Sequence, residues 1–264
     1  MVCILLSHER SGSHLVGEFL QHLDGVSVLD EVCNSIASAD YEFSFHRFQL
    51  EYAERHRDAY LTRSYRQHLD FIDAYFAHVA SADPDRQIVV DLKYGHLHNF
   101  EWFWSPPLRP PLVFSWVQSN GGRIVHLSRN NPIEAVVSAE VARQRGVWHS
   151  WQSDATSAAG PRHRIDTDRV AYEARLLRRQ TTLIREEWLG SVDCFDLRYE
   201  NFVESLSADR QTLSELAAFL GGSGATSWTP KLKKLGRPLP DLLENYSELK
   251  DSCSAAGLGE FLQD

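Results

Sequence analysis

Apolar positions along the chain fall into two rhythms. Val2 to Leu6 make a short unbroken apolar run that ends in a polar, glycine-containing turn. Such a run suits a strand buried on both faces. Leu15, Val16, Phe19, Leu20 and Leu23 then return every three or four residues, the spacing of one helix face. The chain therefore opens strand, tight turn, helix. Val26 to Leu29 reads as a second short strand. Leu61, Tyr65, Leu69, Ile72, Phe76 and Val79 mark a long amphipathic helix, and Ile88 to Leu92 another buried strand.

Pro106, Pro107, Pro110 and Pro111 interrupt the chain before a helix expected at 112–119, which Gly121-Gly122 ends. Arg123 to Leu127 is a further strand. Asn131 can cap the next helix, with Pro132 at its first position and Ile133, Val136, Val137 and Val141 as its buried stripe. Residues 146–167 are polar, aromatic and irregular, and read as a mobile loop. A long helix follows with Leu176, Leu177, Leu183, Ile184 and Trp188 on one face. Val192 to Leu197 is the last core strand, 209–220 a helix, and the Gly-, Ser- and Pro-rich tail from 221 holds a short helical piece near 240–249. Strands alternating with helices predict an α/β fold: a central parallel sheet flanked by helices on both faces. No repeat or shift in composition marks a boundary, so residues 1–264 read as one domain.

Charge narrows the partners. The formal net charge is −9, which argues against general binding to nucleic acid or anionic membranes. A polyanionic ligand would need a local basic pocket. No run of about 18 apolar residues is present, so no membrane-spanning segment is expected. The first residues lack a basic region followed by a long apolar stretch, so no secretory signal is expected. Cys3, Cys33, Cys194 and Cys253 are scattered, with no C-x-x-C pair. They fit reduced, buried thiols in a cytoplasmic protein better than a disulfide framework or a zinc knuckle.

Two segments carry candidate chemistry. The first turn reads Ser7-His8-Glu9-Arg10-Ser11-Gly12-Ser13-His14 and runs from a strand into a helix. Backbone N–H groups at a helix N-terminus favour an anion. Gly12 lets the backbone come close, Ser11 and Ser13 offer hydroxyls, and Arg10 supplies charge. The turn lacks the first glycine and the Gly-Lys-Ser/Thr ending of a Walker motif. The bland alternative is a cap and a turn. The second segment places Arg129 at a strand end and Ser138 nine residues on, two turns into a helix. It offers a second phosphate site, or else a surface ion pair and a small packing residue.

Taken together, these segments resemble the sulfotransferases that use 3′-phosphoadenosine 5′-phosphosulfate (PAPS). Arg10-Ser11-Gly12-Ser13 is similar to the family's 5′-phosphosulfate loop, and Arg129 with Ser138 to its 3′-phosphate element. The closer likeness is to the bacterial branch acting on nodulation factors and trehalose glycolipids. Val141 to His149, Asp196 to Phe202, and Pro238 to Leu249 look like later segments of that branch. The resemblance spans residue 4 to about 250. Arg10 stands where many members carry Lys; it can bind the cofactor but stays protonated, so it is no proton donor.

The resemblance implies a P-loop-like sulfotransferase fold. PAPS would be the co-substrate and no metal would be needed. The acceptor would be a carbohydrate, glycolipid or other small molecule, and a homodimer is one implied assembly. Arg10, Ser11, Gly12, Ser13, His14, Arg129 and Ser138 would hold the nucleotide. Glu31 would be the base, with a pKa raised by burial. His14, His46 and His149 compete for that role. Lys93 would reach the acceptor or the sulfonate, and Trp148 and His149, with Trp102 and Trp104, would line the acceptor cleft. Lys231, Lys233, Lys234 and Arg237 would cover the 3′-phosphate. His96 and His98 lack a third metal ligand at a recognisable spacing. Two other readings stay open: a nucleotide kinase, weakened by the missing Lys-Ser/Thr pair, and a non-catalytic nucleotide-binding module.

Overall fold

The structure is a computed structural model. It describes residues 1–34, 41–61, 64–101, 109–146, 161–224, 228–230 and 237–262. Five strands form one parallel sheet: β1 (Val2–Ser7), β2 (Val26–Leu29), β3 (Gln87–Lys93), β4 (Arg123–Ser128) and β5 (Asp193–Arg198), in the order β2-β3-β1-β4-β5. The helices are α1 (Ser13–His22), α2 (Phe45–Arg55), α3 (Arg57–Leu61), α4 (Tyr65–Ala80), α5 (Leu112–Ser119), α6 (Pro132–Arg145), α7 (Thr167–Leu183), α8 (Tyr199–Ser207), α9 (Gln211–Leu220), α10 (Leu239–Leu242) and α11 (Tyr246–Ala255). No helix among the described residues is long and apolar enough to cross a membrane.

β1, β3 and β4 are buried on both faces, whereas the edge strands β2 and β5 are only partly buried. Ile4, Leu6, Val90 and Ile124 pack with α4, α5, α6 and α7 on one side. Cys3, Leu5, Val89, Val125 and Leu197 pack with α1, α8 and α9 on the other. This division places the site. β1 and β4 are neighbours, with Ser7 beside Leu127. The chain leaves β1 toward α1 on one face and leaves β4 toward α6 on the other. A crevice opens between loops that diverge in this way, at the carboxyl ends of the strands.

Several expectations need correction. The helix expected from Leu61 begins at Tyr65, where Ser64 and Gln67 form a reciprocal capping box; Leu61 ends the separate α3. α2 and α8 were not anticipated. Leu176, expected on the buried face of α7, is 42% exposed. The buried stripe is Val170, Ala171, Ala174 and Leu177, because Leu176 and Leu177 are adjacent and a helix turns about 100° between them. α7 also stops at Leu183, and Ile184–Trp188 continues as a π-helical turn. Of the expected mobile loop, 147–160 lies outside the described residues. Residues 161–166 are pinned: the His163 N–H donates to the Leu242 carbonyl, and Asn245 pairs with the Ile165 backbone in both directions. Cys3, Cys33 and Cys253 are buried and free, whereas Cys194 is free but half-buried.

Candidate functional site

The turn between β1 and α1 is held in an unusual shape. Arg10 (φ 61°) and Gly12 (φ 90°) both adopt the left-handed region. Gly12 stands at the N-cap of α1, so no side chain caps that helix. A Cβ on Gly12 would lie 2.4 Å from the ring of Tyr199. Glycine thus serves twice, permitting the dihedral and letting Tyr199 lie against the turn. The Arg129 guanidinium sits 4.7 Å from the same ring, within cation–π range.

The two motif corners touch. Arg10 Nε donates to Ser138 Oγ at 3.2 Å, and Arg129 Nη1 donates to the Arg10 carbonyl at 3.4 Å. Arg129 is 10% exposed, pairs with Glu134 at 3.3 Å, and has its Nε buried with no partner among the described residues. The cap expected at α6 is present, with Asn131 Oδ1 accepting from Ile133 and Glu134. Burial, and then the neighbouring Arg129, draw the Arg10 pKa down from its usual range. Positive charge is therefore concentrated here in a chain that is acidic overall.

The side of the turn toward β3 and β2 is closed by ion pairs. Lys93, 5% exposed, places Nζ 2.6 and 2.5 Å from the two Asp91 oxygens and 2.7 Å from Ser13 Oγ. Its next partner is Glu31, at 3.7 Å. His14 lies between Asp30 and Glu31, one ring nitrogen 3.5 Å from each carboxylate. Asn34 Nδ2 donates to the other Glu31 oxygen at 2.7 Å. Glu31 itself has φ 36°, a strained value for a side-chain-bearing residue.

These contacts reverse the expectation for Glu31. Its hydrogen bond from His14 outweighs burial, and with Lys93 and Asn34 it holds the carboxyl down to about 2. A carboxylate with both oxygens engaged and so low a pKa is a poor proton acceptor. His14 is pushed up from the usual histidine value, first by Glu31. Asp30, which sequence reasoning passed over, is raised by burial.

On the β4 and β5 side the turn borders a cavity of about 240 Å³. His8, Ser11, Tyr94, Ser128, Arg129, Asn130, Arg178, Thr181, Arg185 and Arg198 contribute polar lining, and Pro132, Leu177 and Phe261 apolar walls. A hydrogen-bonded network adjoins the cavity, reaching the lining through Tyr94, Ser128 and Arg185. The Tyr94 hydroxyl meets His126 Nε2 at 2.7 Å, and His126 Nδ1 meets Asp196 at 3.1 Å. Arg185 donates to Asp196 at 3.2 Å and to Ser128 Oγ at 2.9 Å. Arg185 lies on the π-helical turn, a local irregularity frequent at functional sites. Burial lowers the His126 pKa, so the ring is neutral at pH 7. Its Nδ1–H then points to Asp196, and Nε2 accepts from Tyr94.

His8, Tyr94, His126, Arg185 and Asp196 were not singled out as site residues from the sequence. One signal was present: His126 and Asp196 are polar residues inside strands otherwise read as apolar. Of the expected site residues, the structure gathers Arg10, Ser11, Gly12, Ser13, His14, Glu31, Lys93, Arg129 and Ser138 around one turn. His46 is elsewhere, donating through Nε2 to the Cys33 carbonyl. His96 accepts the Lys93 N–H on Nδ1, and His98 Nδ1 meets the Gly95 carbonyl. Arg237 donates to the Pro161 carbonyl at 2.9 Å. Trp102, Trp104, Trp148, His149, Lys231, Lys233 and Lys234 lie outside the described residues. No protein-family model and no curated sequence matches the chain.

Proposed function

We propose that this protein transfers the sulfuryl group of PAPS to a hydroxyl of a small acceptor, in the class of carbohydrates and glycolipids, and releases 3′,5′-ADP. The observation that carries the reading is the contact between the two corners, Arg10 to Ser138 and Arg129 to the Arg10 carbonyl, at the crevice between β1 and β4. One adenosine bisphosphate is short enough to be gripped at both ends only if the corners are neighbours. The same reading assigns the five-stranded parallel sheet to the P-loop-like nucleotide-binding sulfotransferase fold.

In this reading the turn at 10–14 holds the 5′-phosphosulfate, and Arg129 with Ser138 holds the 3′-phosphate. The acceptor oxygen bonds to sulfur as the bond from sulfur to the bridging oxygen breaks. The electron pair leaves on the 5′-phosphate oxygen of 3′,5′-ADP, where Arg10 and the first turn of α1 stabilise it. The work asked of the protein is positioning and charge stabilisation.

Two measurements test the reading. Calorimetry should show 3′,5′-ADP binding without magnesium, and labelled sulfate should pass from PAPS to at least one member of a panel of sugars, glycolipids and phenols. Magnesium-dependent ATP binding with no affinity for 3′,5′-ADP would point to a kinase. Cofactor binding with no turnover on any acceptor would leave a binding module.

A further inference from the structure

Resting on the sulfuryl-transfer reading, we propose that Arg185 is a further nucleotide-gripping residue, donating to the phosphate at the β4 corner, and that Asp196 is the positioning residue that aims it. The cavity beside the first turn is lined by Ser11 and, from the β4 corner, by Ser128, Arg129 and Asn130. In that reading it is therefore the nucleotide's own space. Arg178, Arg185 and Arg198 line the same cavity, and no carboxylate does so among the described residues. Four guanidiniums around about 240 Å³, in a chain of net charge −9, match a doubly phosphorylated nucleoside.

These arginines are not held alike. Arg178 is half-exposed and pairs with Glu260 at 3.0 Å. Arg198 has Asp196 at 3.7 Å. Arg185 is fixed along one edge: its Nε lies 3.2 and 3.1 Å from the two Asp196 oxygens, and its Nη2 donates to Ser128 Oγ at 2.9 Å. Its Nη1 has no partner among the described residues. The rest of the planar fork is thus left over for a ligand. Ser128 directly precedes Arg129, which the reading gives to the 3′-phosphate, so the held edge is tied to that corner.

Asp196 is anchored from behind. It accepts from His126 Nδ1 at 3.1 Å, and the other nitrogen of that buried ring meets the Tyr94 hydroxyl at 2.7 Å. The ring holds the carboxylate, and the carboxylate holds Arg185. A phosphate then meets a fork that is already oriented, and less is lost to ordering an arginine side chain. The charge of Asp196 acts the other way, since a carboxylate near the cavity opposes an anion. Positioning and charge therefore predict effects of opposite sign when Asp196 is removed.

Calorimetry with 3′,5′-ADP and with 5′-AMP compares the parent protein with Arg185→Ala, Arg185→Lys and Asp196→Ala, while thermal denaturation reports that each variant folds. Arg185→Ala should weaken 3′,5′-ADP by roughly 10- to 150-fold, the loss of a charged hydrogen-bonding partner, and 5′-AMP by less than about threefold. Arg185→Lys keeps the charge without the fork and should recover only part of that loss. Asp196→Ala should weaken 3′,5′-ADP by roughly two- to tenfold, although removing a negative charge would by itself tighten it. Parental 3′,5′-ADP affinity in either Arg185 variant, or equal weakening of both nucleotides, overturns the assignment of Arg185. Unchanged or tighter binding in Asp196→Ala overturns the positioning role. A parent protein that binds no 3′,5′-ADP overturns the sulfotransferase reading and this proposal together.

Discussion

The first turn has two flanks, and they are built differently. Toward β3 and β2, Lys93, Asp91, Ser13, Glu31, His14 and Asn34 satisfy one another. Toward β4 and β5, Arg129 keeps a buried Nε without a partner among the described residues, His8 keeps a bare nitrogen, and a cavity separates the groups. A fully satisfied polar network is stiff and specific. Unused hydrogen-bonding capacity is costly when buried and is kept where something else completes it. The comparison teaches that the acidic flank holds the turn in place, while the arginine-rich flank keeps hydrogen-bonding capacity unused, which in the proposed function is the side a ligand completes.

Asp91→Ala strikes the closed flank hardest. Asp91 is 2% exposed, and its removal strands a buried ammonium. Breaking a buried pair from one side costs about 3–5 kcal/mol, a fall of roughly 10 °C in Tm for a chain of this size. Removing both partners, as Asp91→Ala with Lys93→Met, should recover most of that loss. Thermal denaturation of the two variants settles the matter: a single-variant loss below about 1 kcal/mol would mean Ser13 and Glu31 suffice for Lys93.

Arg10→Ala should leave stability nearly unchanged yet lower turnover on the order of 100- to 1000-fold, the usual loss when a donor to the developing negative charge is removed. Turnover near the parental value would take Arg10 out of the chemistry. Arg129→Ala, on the open flank, should act on affinity. Losing a charged hydrogen-bonding partner worth about 1.5–3 kcal/mol weakens 3′,5′-ADP by roughly 10- to 150-fold. Binding of 5′-AMP, which has no 3′-phosphate, should change little. Equal weakening of both nucleotides would place the 3′-phosphate elsewhere.

The sheet was legible because its strands are mostly apolar, and both motif corners were legible because each follows such a strand. What escaped was whatever depends on contacts between distant segments. Glu31 looked like a loop carboxylate open to burial. Its character is set by His14, Asn34 and Lys93, and Lys93 comes from a strand more than 60 residues away. Arg185 was hidden inside an expected α-helix; it lies instead on the π-helical turn and reaches Ser128 and Asp196. Leu176 and Leu177 show the limit of reading apolar residues without phase: both are leucines, and one of them faces water.

The smallest expected effect is a test of the closed flank by pH. Glu31 has its folded pKa held at about 2, below the ordinary value of 4.5. Its contribution to stability is therefore complete above about pH 4.5 and is lost as pH falls toward 2. His14 shifts the opposite way, so its contribution is present below 6.5 and is lost as pH rises through its higher folded value. The pair should stabilise most between those limits. Both side chains are about 30% exposed, so solvent screening keeps the gain small, within about 1 kcal/mol. Urea midpoints measured from pH 3 to pH 8 should show a shallower acid limb in Glu31→Gln than in the parent, and a lower His14 pKa by NMR. An acid limb identical in the two proteins would mean that Glu31 is not held by His14. The carboxylate would then be free to act as a base, and the contrast between the two flanks would lose its meaning.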